Sequence, residues 1–375
     1  MKLLPLVAAT VTLAGSARGQ GRVPYPLGDI GRPEASPWAE PIARARDQLQ
    51  ANMKEFGVPG ASVVVVKEGL VVWSEALGYA DVEQKIRATK STRFRIYSVS
   101  KALTSVALGL LVQDGKLDLD RPVQEYVPVF PLKQYPVTTR QLAGHMGGIR
   151  GYAGTEYLNQ RPFRSVAEGL AIFDRDSLVF RPGDQYLYTS YGFTLISAVI
   201  EGASGEPYLS FMRHRVFEPL GMKHTVPDRA DTIIPSRARW YTRDSLEQTV
   251  LAQYVDNSYK WAGAGFLSTA EDLAFFGVAM FGRRLLESRT VQQLWTSQRT
   301  ADGRETGYGI GWRTGLDTGG RRIVGHDGGS SALLLIYPLE KFVFAFVSNS
   351  DQPQPVFDEE IRELFLRGAL RSTSQ

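Results

Sequence analysis

Strand-like segments rich in branched apolar residues sit at the two ends of this chain, and helical periodicity fills the stretch between. That distribution constrains the fold more than any other feature. Near the start, Gly60-Ala-Ser-Val-Val-Val-Val-Lys67 and Leu70-Val-Val-Trp-Ser-Glu-Ala-Leu77 flank Glu68-Gly69 and predict a hairpin. Near the end, 308–313, 322–325, 332–337 and 342–348 predict four more strands. Residues from about 120 to 300 mix turns with helical stretches such as 192–203 and 269–281. Strands so distant in sequence bury their faces by joining one sheet, which leaves the helical middle as an inserted lobe. The fold class is therefore α/β (α+β): an antiparallel sheet flanked by helices at 41–56 and 356–370, with an inserted helical domain. The limits are 39–130 with 300–375 for the sheet domain and 131–299 for the helical one. A chain of 375 residues exceeds one ordinary core, and a ligand cleft is expected where two lobes meet.

The amino terminus reads as a targeting segment. Lys2 precedes an apolar run over 3–15 and small residues over 16–19, the pattern of a signal peptide (1–19) removed before Gln20. The expected localisation is periplasmic or extracellular. Residues 20–38 carry Pro24, Pro26, Pro33 and Pro37 and read as an extended leader. The run is shorter than the roughly 20 residues a spanning helix needs, so no integral membrane span is expected.

Charge and composition exclude several functions. Lys and Arg number 43 against 39 Asp and Glu, a net charge of +4, too little to mark a nucleic-acid partner. With no cysteine, disulfides, thiolate metal sites and a thiol nucleophile are all excluded. His145, His214, His224 and His326 show no close metal-ligand spacing. No metal and no cofactor is implied.

Ser98-Val99-Ser100-Lys101 opens an apolar stretch, Val99–Gln113, that reads as a buried helix closed by Gly115. At i and i+3, the Ser98 hydroxyl and the Lys101 amine share a face. A serine hydroxyl needs a base beside it to attack a carbonyl, and a desolvated lysine can serve. Eleven lysines and 26 serines give about one such spacing by chance, so spacing alone carries no weight. Context does: a lysine inside an apolar helix is costly to bury. The bland reading is an N-capping Ser98 with Lys101 reaching solvent. Further on, Tyr188-Thr189-Ser190 precedes a helix and could offer a phenolate, stabilised by Lys101, as general base. His326-Asp327-Gly328-Gly329 ends a strand with bare backbone N–H groups, and one of these with that of Ser98 would form an oxyanion hole.

In this order the three segments resemble the motifs of serine beta-lactamases and penicillin-binding proteins, in the class C-like branch. Tyr254-Val-Asp-Asn-Ser-Tyr-Lys-Trp-Ala-Gly-Ala-Gly-Phe-Leu-Ser-Thr269 and Leu142-Ala-Gly-His-Met-Gly-Gly-Ile-Arg150 look like the mitochondrial serine beta-lactamase-like group within it. The resemblance implies Ser98 as acylated nucleophile, Lys101 and Tyr188 as its base pair, and an oxyanion hole from Ser98 and Gly329. It further places Ser190, His326, Asp327, Gly328, Tyr254 and Asn257 against substrate. Two positions depart from the pattern: Ser190 stands where asparagine is usual and His326 where lysine is frequent, which weakens the grip on a substrate amide and carboxylate. The expected activity is a metal-independent serine hydrolase acting through an acyl-enzyme on an amide or ester of a small molecule or peptide. A self-assembling, weakly catalytic or non-catalytic scaffold is the alternative, and a homo-oligomer fits either.

Overall fold

The computed structural model describes residues 37–281, 285–351 and 359–368. The targeting segment and nearly all of the leader expected at the amino terminus lie outside the described residues. Helix α1 (Ala39–Phe56) leads into strands β1 (Gly60–Lys67), β2 (Leu70–Asp81) and β3 (Ile86–Arg87), then helix α2 (Val99–Gln113). The intervening chain includes α3 (Tyr191–Ser204), α4 (Trp261–Ala264), α5 (Ala270–Ala279) and α6 (Ser288–Trp295). The chain then returns as β4 (Arg313–Leu316), β5 (Arg322–Gly328), β6 (Ala332–Tyr337), β7 (Phe342–Ser348) and helix α7 (Glu359–Gly368).

The seven strands form one antiparallel sheet in the order β3-β2-β1-β7-β6-β5-β4. Its centre pairs β1 with β7, Val63 opposite Phe346 and Val65 opposite Phe344, so the two ends of the chain close on each other. Glu68 and Gly69 take positive φ of 52° and 83°, the turn that a two-residue hairpin requires. Both faces of the sheet are buried. Val63, Val65, Leu333, Leu335, Phe344 and Phe346 face α1 and α7, while the alternating Val64, Leu334, Val343 and Ala345 face α2 and α5. Alternation with two dry faces explains why these strands read as near-continuous apolar runs.

One predicted strand is not formed. Residues 308–312 (Tyr-Gly-Ile-Gly-Trp) alternate as a strand would, yet ladder pairing begins only at Arg313. The glycines press backbone to backbone instead: a Cβ on Gly309 would stand 2.2 Å from the Leu294 carbonyl, and one on Gly311 2.8 Å from that of Lys101. Conversely β5 runs past the predicted 325 and carries His326–Gly328 within the sheet.

Candidate active site

The nucleophile candidate owes its position to the chain on either side of it. Phe94–Arg95 pairs with Phe266–Ser268 in a small three-stranded sheet. Tyr97 follows with φ 40°, a left-handed conformation that costs a non-glycine residue free energy. Its ring packs edge-on against Trp240, centroids 5.2 Å apart, and its hydroxyl is bonded by Arg95, itself paired to Asp228 at 2.8 Å. The fixed turn sets Ser98 at the N-cap of α2. No side-chain capping bond is made there; the hydroxyl turns to other partners.

Those partners are Lys101 and Tyr188. Lys101 Nζ is hydrogen-bonded to Ser98 Oγ (3.0 Å), Ser190 Oγ (3.3 Å) and the Gly263 carbonyl (2.8 Å). The side chain is fully buried in α2, every residue of which from Val99 to Leu111 is buried. Its amine lies 4.8 Å from the Tyr188 ring centroid and 5.4 Å from that of Phe193. Burial drives the Lys101 pKa well below its ordinary value, and Lys260 pushes the same way. The Tyr188 hydroxyl is hydrogen-bonded to Ser98, while burial raises its pKa above the usual phenol value. Burial thus disfavours the charged form of both groups, the phenolate of Tyr188 and the ammonium of Lys101.

His145 stiffens this arrangement. It accepts from the Thr189 N–H at 3.3 Å, and its ring stands 4.3 Å from Tyr188 and 4.6 Å from Tyr308. Burial, with Lys101 nearby, keeps its pKa well below 6.5 and the ring neutral.

The remaining predicted residues divide into two groups. Gly329 is exposed at the β5–β6 turn, with φ 56°. Among the described residues no hydrogen bond engages its N–H or that of Ser98, which leaves both donors for an oxyanion. Gly328 packs against the chain leading into the nucleophile: a Cβ there would meet the Ile96 carbonyl at 2.2 Å. Asp327 pairs with Arg313, half-exposed at the edge strand with its guanidinium 5.7 Å from the Tyr188 ring. Tyr254 is 48% exposed, its hydroxyl on Asp256 at 3.1 Å. By contrast, His326 and Asn257 are buried, and Asn257 Oδ1 has no hydrogen-bond partner among the described residues. His326 Nε2 meets the Tyr308 hydroxyl at 2.7 Å and Nδ1 the Asp327 backbone carbonyl at 2.6 Å, and burial lowers its pKa. Asn257 donates to Asp228 at 2.9 Å. Ser190 is also committed, to Lys101 and to the Tyr152 hydroxyl.

Two residues escape a reading of sequence motifs. Arg313 sets a half-exposed guanidinium, paired with Asp327, 5.7 Å from the Tyr188 ring, and nothing local in the chain marks it. Lys260 is a second buried lysine, only 5% exposed. Its position inside the apolar Tyr259-Lys-Trp-Ala-Gly is the same cue that singled out Lys101. Nearby, Arg150 and the Tyr191 hydroxyl hold Glu156, at 2.7 and 2.8 Å, and its pKa is lowered to about 2. Among the described residues no three His, Asp or Glu side chains converge as metal ligands. No described helix is long and apolar enough to cross a membrane.

A half-buried serine and tyrosine on a fully buried lysine, at a helix tip beside an antiparallel sheet, is the architecture of serine hydrolases with the beta-lactamase fold. The chain matches the Beta-lactamase family across residues 45–369 and belongs to it. It is 34% identical to the mitochondrial serine beta-lactamase-like protein LACTB of Homo sapiens, over 81% of this chain and 73% of that protein. It is 26% identical to a penicillin-binding protein of Bacillus subtilis, over 86% of this chain and 75% of the relative. Among solved structures, the octameric penicillin-binding protein homologue from Pyrococcus abyssi superposes with a TM-score of 0.77 at 26% identity, over 87% of this chain and 77% of that one.

Proposed function

We propose that this protein hydrolyses an amide or ester through an acyl-enzyme on Ser98, with Lys101 as the base. The observation that carries this reading is the fully buried Lys101, which has three hydrogen-bond neighbours and no carboxylate among them. A neutral amine has two N–H groups and one lone pair. Donation to the Gly263 carbonyl and to Ser190 Oγ uses both N–H groups and leaves the lone pair for the Ser98 proton. As Ser98 Oγ bonds the carbonyl carbon, its proton passes to Lys101. The N–H groups of Ser98 and Gly329 take the oxyanion charge, and the leaving group collects a proton from the Lys101–Tyr188 pair. Water admitted to the same base then attacks the ester and frees Ser98.

Arg313 favours acyl donors with a carboxylate, as a peptide C-terminus has, since its half-exposed guanidinium beside Tyr188 can exchange Asp327 for that carboxylate while His326 is enclosed. Peptides therefore stand first among substrates, ahead of small neutral esters. The relatives' names support the class: one is beta-lactamase-like and two are penicillin-binding. The octameric homologue makes self-association part of the proposal, and the amino-terminal pattern makes export part of it. Hydrolysis of a chromogenic ester by wild type, lost in Ser98→Ala, tests the reading. Undiminished turnover in the variant refutes it.

A further inference from the structure

The second buried lysine has no part in the chemistry above, yet it is built into the same structure. Lys260 closes the turn Ser258–Lys260 that runs into α4, and Gly263 of α4 accepts from Lys101 at 2.8 Å. One short segment thus carries Lys260 and a hydrogen-bond partner of Lys101. The two amines also flank a shared polar bridge. Lys101 Nζ bonds Ser190 Oγ, and Ser190 bonds the Tyr152 hydroxyl. The Lys260 ammonium lies over the rings of Tyr152 (5.5 Å) and Tyr259 (4.9 Å). Two cations that flank one bridge within a desolvated region repel, and the pair favours one charge over two.

The surroundings decide which amine holds it. Lys260 faces two aromatic rings and the carboxylate of Asp256, while Asp228 and Arg95 beside it are paired with each other at 2.8 Å. Lys101 faces two hydroxyls, a carbonyl and the neutral rings of His145 and His326; the charges near it, Asp327 and Arg313, are themselves paired. We propose that Lys260 is a positioning residue which holds the single positive charge of this lysine pair, so that the amine beside Ser98 rests unprotonated and ready to accept. Burial also lowers the Lys260 pKa, to about 7, so its charge is present where Lys101 most needs protection from protonation, on the acid side of neutrality.

The catalytic consequence rests on the acyl-transfer reading; the electrostatic coupling does not, and two readouts separate them. The first is the ¹³C shift of the lysine ε-carbons in selectively labelled protein titrated with pH, the Lys101 signal being assigned by its loss in Lys101→Met. The second is the acid limb of kcat/KM for a neutral chromogenic ester. In Lys260→Met and Lys260→Gln the Lys101 midpoint rises. The acid limb moves alkaline by about one pH unit, an approximately tenfold loss below it. Lys260→Arg, which keeps a charge, returns both toward wild type. A Lys101 midpoint identical in wild type, Lys260→Met and Lys260→Gln overturns the proposal, as does an arginine variant that behaves like methionine. Should wild type hydrolyse no ester while the Lys101 midpoint still rises in the methionine and glutamine variants, the coupling stands and the hydrolase reading fails.

Discussion

Replacing Lys101 with methionine tests the protonation state on which the chemistry depends, through stability and without any substrate. In the unfolded chain a lysine binds its proton up to about pH 10.4. In the folded protein burial lowers the Lys101 pKa well below that, so across the interval between the two values the unfolded state holds one more proton. Stability then rises with pH there and falls as pH drops. The slope for one proton is about 1.4 kcal/mol per pH unit. With Lys101 neutral throughout pH 7 to pH 9, as the proposed base requires, wild type should gain about 3 kcal/mol relative to Lys101→Met, in which the proton is absent from both states. Methionine is apolar and of similar length, so it fills the space left in α2; the Gly263 carbonyl and Ser190 hydroxyl lose a partner, an offset of about 1–3 kcal/mol common to both pH values. Equilibrium urea unfolding of the two proteins at pH 7 and pH 9 gives the difference directly. A stability gap that does not change between the two values means that Lys101 is charged when folded. It could not then serve as a base.

Three further outcomes follow from the geometry. Tyr188→Phe keeps the ring that packs on His145 and under the Lys101 amine but deletes the hydroxyl on Ser98; kcat should fall about 100-fold with the urea midpoint nearly unchanged, and full activity would remove Tyr188 from proton transfer. Arg313→Met should lower kcat/KM about tenfold for peptides with a free C-terminus and leave neutral esters unaffected, a split that steady-state kinetics on paired substrates reads. Gly328→Ala forces a Cβ to 2.2 Å from the Ile96 carbonyl and should cost about 2–4 kcal/mol in unfolding free energy, whereas a variant of wild-type stability would show that the approach of β5 to the nucleophile turn is loose.

The sheet was legible because its signal is local. Runs such as Val63-Val-Val-Val66 and Phe342-Val-Phe-Ala-Phe346 bury both faces, so side chains of either parity are apolar and the strand limits nearly match the sequence. The stretch 308–312 misled for the opposite reason: its alternation is genuine, but Gly309 and Gly311 answer to the close approach of Leu294 and Lys101, which no window of sequence contains. The helix of Val99–Gln113 and the lysine inside it were readable from hydrophobicity alone. What Lys101 touches was not, since Ser190 and Gly263 lie 89 and 162 residues away. The same distance effect hid Arg313, whose value lies in facing Tyr188 and Asp327, and the partners of His326 and Asn257. Position in a motif says which strand or turn a side chain sits on; burial by Tyr308 and Asp228 decides which way its polar atoms turn.

The most direct measurement is peptide-mapped mass spectrometry after brief exposure to a fluorophosphonate and, separately, to a penicillin. A single adduct on the peptide that contains Ser98 in wild type, absent from Ser98→Ala and formed far more slowly in folded Lys101→Met, is the predicted result. An adduct on another residue, or labelling of Ser98 at the wild-type rate once Lys101 is gone, would contradict it.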